Sequence, residues 1–141
     1  KSNFRRILRP VNTFLINTMP AILIRRGMMK SVRFEVKEYQ ITMGVDLPSI
    51  VSGKDVKVCA IIGCYGDEYK LMINFVAENE GQPAAVYDQD KKTGAIFLPI
   101  SRLEGYIDLL RNEKPIIVHL SERVEWIAIG TGHEPIGEGE R

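Results

Sequence analysis

The sequence predicts an α+β domain: an antiparallel sheet of about six or seven strands, strongly curved in one version, with one principal helix at about 102–112 packed on one face. Three observations lead there. Apolar residues alternate at period two in several separate stretches, turn-rich intervals separate those stretches as hairpin loops would, and a single helix-start pattern occurs late in the chain.

The first alternating stretch is 30–43, with Val32, Phe34 and Val36 on one side and Arg33, Glu35 and Lys37 on the other, and reads as one half-buried strand. Residues 44–55 form a loop rich in Pro, Ser and Gly. In 56–62, Val56, Val58, Ala60 and Ile62 share one face and Cys59 and Ile61 join the other, so this strand should be central. The sequence Tyr65-Gly66-Asp67-Glu68 then reverses the chain into a strand carrying Tyr69, Leu71, Ile73 and Phe75, giving an antiparallel hairpin. A second hairpin joins 84–87 to 95–100 across a charged loop that closes on Gly94.

Ser101-Arg102-Leu103-Glu104 has the spacing of a capping box, and Leu103, Tyr106, Ile107 and Leu110 line one face of the helix that follows. Pro115 sets its end near Asn112. Residues 116–120 and 124–129 make the last two strands, separated by a turn at Ser121-Glu122-Arg123. The segment 131–141, preceded by Gly130, reads as a loose Gly/Glu-rich tail. One helix covers only part of such a sheet, so either the sheet curls into a partial barrel or a partner buries its open face, with a homodimer as the simplest partner.

Composition bounds the class. A chain of 141 residues, 45% hydrophobic and 26% charged, suits one ordinary globular domain and excludes a fibrous protein. Two cysteines are too few for a disulfide-stapled scaffold. The net charge of +1 hides a segregation: eight basic residues precede the first acidic one, Glu35, whereas 35–141 hold 11 basic and 18 acidic groups, a balance of −7. Residues 1–28 therefore read as a basic leader, either upstream translation ahead of Met28-Met29, a targeting segment, or a basic arm. The domain proper is read as 29–130. No apolar run reaches the roughly 20 residues of a membrane-spanning helix. The expected location is cytoplasmic, or organellar if the leader is a transit segment.

The chemistry-bearing residues are few. Cys59 and Cys64, five positions apart, face opposite sides of an ideal strand and read as a buried small hydrophobe and a turn residue. His119 stands between Val118 and Leu120 on the polar side of a strand, while His133 and Glu134 follow Gly130-Thr131-Gly132; these three are the weak ligand-binding candidates. Asp67 with Glu68, and Asp88 with Asp90, read as solvated turns rather than an acid-base pair. No catalytic, metal or cofactor motif is found.

The leading expectation is a small non-enzymatic domain acting through its sheet surface, in self-association or protein binding. The alternative is single-strand DNA or RNA binding, in which Tyr69 and Tyr87 stack on bases and Lys57, Lys70, Lys91 and Lys92 meet phosphate. The acidic body opposes it over a screening length of about 8 Å. Phe75, Phe97 and Trp126, on apolar faces, read as core. A ligand-binding or enzymatic domain using His119 and His133 ranks last.

Overall fold

A computed structural model describes residues 30–49 and 56–133; the basic leader at 1–28, residues 50–55, and the tail from Glu134 lie outside the described residues. The first departure from the expected pattern comes early. Residues 30–43 form two strands, β1 (Ser31–Glu35) and β2 (Glu38–Met43), which belong to different sheets. Apolar positions change parity between them, from Val32, Phe34 and Val36 to Tyr39, Ile41 and Met43. The change is made by a bulge: Glu38 is in register with Tyr65, and the Lys37 N–H also donates to the Tyr65 carbonyl at 2.7 Å. One residue earlier, the Val36 N–H donates to the Ile116 carbonyl at 2.9 Å, so the chain passes from one sheet to the other within this corner.

Next come β3 (Val58–Tyr65), β4 (Lys70–Val76), β5 (Val86–Asp88), β6 (Thr93–Pro99), the helix α1 (Leu103–Asn112), β7 (Ile116–Ser121) and β8 (Ala128–Thr131). They make an open five-stranded sheet, β2-β3-β4-β6-β5, and a three-stranded sheet, β1-β7-β8, in place of one strongly curved sheet of six or seven strands. Both hairpins are antiparallel as expected, β3 with β4 and β5 with β6. Between β4 and β6 the pairing is parallel. The reason is the 77–85 connection, which carries the chain past the β6 position to the edge strand β5 before β6 returns beside β4.

Alternation sorts the larger sheet into two faces. Ala60, Ile62 and Cys64 of β3 lie opposite Phe75, Ile73 and Leu71 of β4, and all six are fully buried. They pack with Leu103 and Leu110 of α1 and with Ile116, Val118 and Leu120 of β7. Helix and small sheet thus share the cover of one face without the larger sheet closing into a barrel. Each large apolar side chain taken out of water here contributes about 1.5–3 kcal/mol. On the far face, a smaller cluster joins Val58, Val76 and Phe97 with Leu47, Val56 and Ile61. Asn74 is also buried there, and its Nδ2 donates to the Met72 and Ile96 carbonyls at 3.3 and 3.2 Å, which satisfies the amide across the β4–β6 seam.

The helix occupies the expected span, but the capping box does not form. Ser101 lies in a 3-10 turn, Ile100–Arg102, and its hydroxyl and N–H donate to the two carboxylate oxygens of Glu78 at 3.1 and 3.4 Å. A carboxylate from the 77–80 turn therefore does what Glu104 was expected to do, and its charge suits a helix start. The last expected strand is also shifted. Trp126 and Ile127 N–H groups donate back to Arg123 and Val124, closing a 3-10 turn at Val124–Trp126. Strand pairing begins at Ala128 and takes in Gly130 and Thr131, opposite Ile117 and Ile116.

Three side chains change role. Cys64 is not a turn residue but the penultimate residue of β3, fully buried, and desolvation pushes its thiol up to about 12. Gly63 lets the strand continue past the apolar run, because the Tyr65 ring lies where a Cβ at Gly63 would stand, with its hydroxyl 2.5 Å from that point. Cys59 is the half-buried one, and both thiols are free. Trp126, expected in the core, is 47% exposed, with the Arg123 guanidinium 4.6 Å above its ring. Among the described residues no helix is long and apolar enough to cross a membrane.

Candidate functional site

Edge strand β2 carries two of the four exposed large hydrophobic residues among those described. Among the described residues it pairs with β3 along one side only, and five of its six residues are exposed. Tyr39, Ile41 and Met43 share the side of the sheet that holds the main core, against which Ile41 packs half-buried, while Glu38, Gln40 and Thr42 point to the other side. Tyr39 is 36% exposed, Met43 66% and Val45, just beyond the strand, 80%. With Trp126 these are the only exposed large hydrophobic residues among those described, so three of the four stand on one edge. At its Tyr39 end the strand borders a depression of about 170 Å³ lined by Val36, Lys37, Leu110, Lys114 and Pro115. Sequence reasoning missed this edge by running β2 into a single long strand with β1; the parity change between Val36 and Tyr39 was the available signal.

The residues proposed for nucleic acid divide between the two ends of the larger sheet. Tyr69, Lys70, Tyr87, Lys91 and Lys92 gather where the β3–β4 and β5–β6 turns meet. Lys57 precedes β3 at the other end, about 25 Å away at the rise of an extended strand, with its N–H donating to Glu80 Oε1 at 3.0 Å. Lys70 projects to the far face, in register with Tyr65 and Thr93. The Tyr69 ring stacks on Phe34, with centroids 6.1 Å apart and planes at 23°. Its neighbour Lys92 stands 5.6 Å from the ring centroid and 2.5 Å from Glu68 Oε1. Tyr87 is held above its ordinary pKa by burial first, then by Tyr69 and Glu122, and Glu122 accepts from Gln89 Nε2 at 2.7 Å. The Tyr69 ring and the Lys92 ammonium are thus already engaged within the chain.

The Glu68–Lys92 pair has a predictable signature. The hydrogen bond and charge of Lys92 hold Glu68 below the ordinary carboxylate pKa, and Glu68 raises Lys92 by the same two effects. The Glu68 contribution is therefore present above the usual carboxylate range and lost as pH falls through its lowered value. The Lys92 contribution is present below the usual lysine range and lost as pH rises through its raised value. Because both groups are solvent-exposed, the stability effect is small. We expect Lys92→Met to move the Glu68 titration upward in a carboxyl NMR titration; an unmoved Glu68 would show that the pair does not form in solution.

The histidines are not brought together. His119 lies on the outer face of the small sheet, beside a shallow groove of about 310 Å³ shared with Arg33, Ile117, Ala128 and Gly130, and its Nδ1 is 3.2 Å from the Trp126 carbonyl. His133 is exposed just past β8, where the Gly132 N–H donates to the Pro115 carbonyl. Extending the β7–β8 register by two residues puts His133 beside Lys114, five residues of strand from His119, or roughly 16 Å. Glu134 lies outside the described residues. Among the described residues no three His, Cys, Asp or Glu side chains are grouped to hold a metal ion. The chain matches no family model, no curated protein and no solved structure.

Proposed function

We propose that this chain is a small non-enzymatic interaction domain that binds other polypeptide through the β2 edge of its five-stranded sheet. The observation that carries the reading is the concentration of exposed Tyr39, Met43 and Val45 on an edge with one side unpaired among the described residues. Soluble proteins commonly guard such edges with lysine, proline, a bulge or extreme shortness. The opposite edge, β5, is three residues long. By contrast β2 has six residues, neither Lys nor Pro, and, past the bulge at Lys37 and Glu38 where it begins, an unbroken register to Met43. An edge of this kind takes an added strand, with main-chain hydrogen bonds supplying affinity and alternate side chains supplying selectivity.

The test is titration of the full chain with a short soluble peptide that alternates threonine and valine between terminal lysines. Amide shifts confined to Tyr39, Ile41, Met43 and their immediate neighbours are expected. Shifts elsewhere, or none from a chain that is monomeric at the concentration used, would sink the edge reading. The single-strand nucleic-acid alternative is weaker because Tyr69 is stacked on Phe34, Lys92 is paired with Glu68, and Glu122 stands against Tyr87.

A further inference from the structure

We propose that the occupant of the β2 edge is a second copy of this chain, paired antiparallel in one register centred on Ile41, so that two five-stranded sheets become one of ten strands. This rests on the reading of β2 as an interaction edge and adds the identity of the partner and the alignment.

The register follows from the phase of the existing ladder. In an antiparallel pair, the residues whose N–H and C=O turn toward the neighbouring strand alternate with residues whose groups turn away. The Gly44 N–H donates to the Cys59 carbonyl at 2.9 Å, extending by one position the register in which Met43 faces Ala60. At the other end the bulge at Lys37 and Glu38 is hydrogen-bonded to Tyr65. Both ends set the same phase: Glu38, Gln40 and Thr42 bond to β3, and Tyr39, Ile41 and Met43 turn their main-chain groups outward.

A two-fold axis at Ile41 then matches every outward group. Ile41 faces Ile41 of the second copy, and Tyr39 and Met43 face each other twice. Three outward residues per strand, each donating one N–H to the residue opposite, make six hydrogen bonds. Sliding by one residue would set each apolar side chain beside a polar one of the opposite face. Sliding by two would leave one of the three outward residues on each strand without its counterpart. The side chains agree with the chosen alignment. Tyr39, Ile41 and Met43 from both copies form one apolar strip on the core side, and Gln40 meets Thr42 on the other. Glu38 falls opposite Gly44, so no like charges stand directly opposed. Self-complementarity about a two-fold is what an isologous interface requires, and a foreign strand gains nothing from it.

A contact of one strand edge and its flanking side chains lies at the small end of specific interfaces, so dissociation in the range of roughly 10 µM is expected. The experiment is sedimentation velocity on the full chain from about 1 to 300 µM, with amide hydrogen exchange at the two extremes. It is repeated on Met43→Pro, which deletes an outward N–H without touching the ladder to β3. Tyr39→Lys serves as a second edge variant should Met43→Pro fail to fold. The expected result is a monomer–dimer equilibrium, protection of the Tyr39, Ile41 and Met43 amides that rises with concentration, and dimerisation at least tenfold weaker in either variant. A dimer that survives both variants would overturn the proposal. A chain that stays monomeric throughout, yet shows the peptide-induced shifts at these amides, would overturn the second copy as occupant and leave the edge reading standing. A monomer without those shifts would overturn both.

Discussion

Phe75→Ala is expected to lower the unfolding free energy by about 3–5 kcal/mol, the usual cost of emptying a buried phenylalanine site. Phe75 is fully buried near the end of β4, opposite Ala60, and meets the Tyr106 ring edge-on at 5.9 Å, so it links the larger sheet to α1. Ala60 on the facing strand is too small to close the gap. For a domain of this size the loss corresponds to a fall in Tm of roughly 12 °C or more, read by calorimetry or by circular dichroism. A variant that melts within a few degrees of the parent would mean that α1 does not cover this part of the sheet.

Gly94 supplies the second large effect, at the place where the two sheets meet. A Cβ built on Gly94 would stand 2.5 Å from Leu120 Cδ2 and 3.4 Å from Leu71 Cδ1, and both leucines are fully buried. Gly94→Ala should therefore cost about 1–3 kcal/mol through overpacking. Leu120→Ala alone should cost about 2–5 kcal/mol through the cavity it leaves. Because the second change vacates the volume the first one needs, the double variant should be less destabilised than the sum by about 1 kcal/mol or more, as contacting residues generally are. Simple additivity in a denaturant-melt cycle would show that Gly94 and Leu120 are not in contact, and with them the packing of β6 against β7.

Much of the fold was legible because it is set by short-range pattern. The β3–β4 hairpin follows from alternation on both sides of a Gly-Asp turn, the β5–β6 hairpin from a charged loop ending in glycine, and the helix span from apolar spacing and Pro115. Where local pattern was ambiguous, the reading went astray for identifiable reasons. Val124 to Ile129 has the letters of a strand, yet the turn after Ser121, whose hydroxyl accepts from the Arg123 N–H at 3.0 Å, uses its first residues. Ser101 has the letters of a cap, yet Glu78, 23 positions earlier, reaches its hydroxyl and amide first. The site was less legible than the fold. Tyr69, Tyr87 and Lys92 do come together, but their mutual contacts and the Glu68 carboxylate were not readable from spacing.

What the sequence determined by itself is the α+β class, the helix that ends before Pro115, the two hairpins and the acidic balance of residues 35–141, all properties of neighbouring residues or of simple sums. What only the tertiary structure decided is which sheet each strand joins. The bulge at Lys37 and Glu38 sends β1 to one sheet and β2 to the other, and the 77–85 connection makes β4 and β6 parallel. Those choices depend on hydrogen bonds between residues far apart in the chain, such as Lys37 to Tyr65 and Val36 to Ile116, and period two is blind to them. They also decide the feature on which the proposed function rests: an alternating strand reads the same whether it ends up in the middle of a sheet or, like β2, at an edge that is unpaired on one side among the described residues.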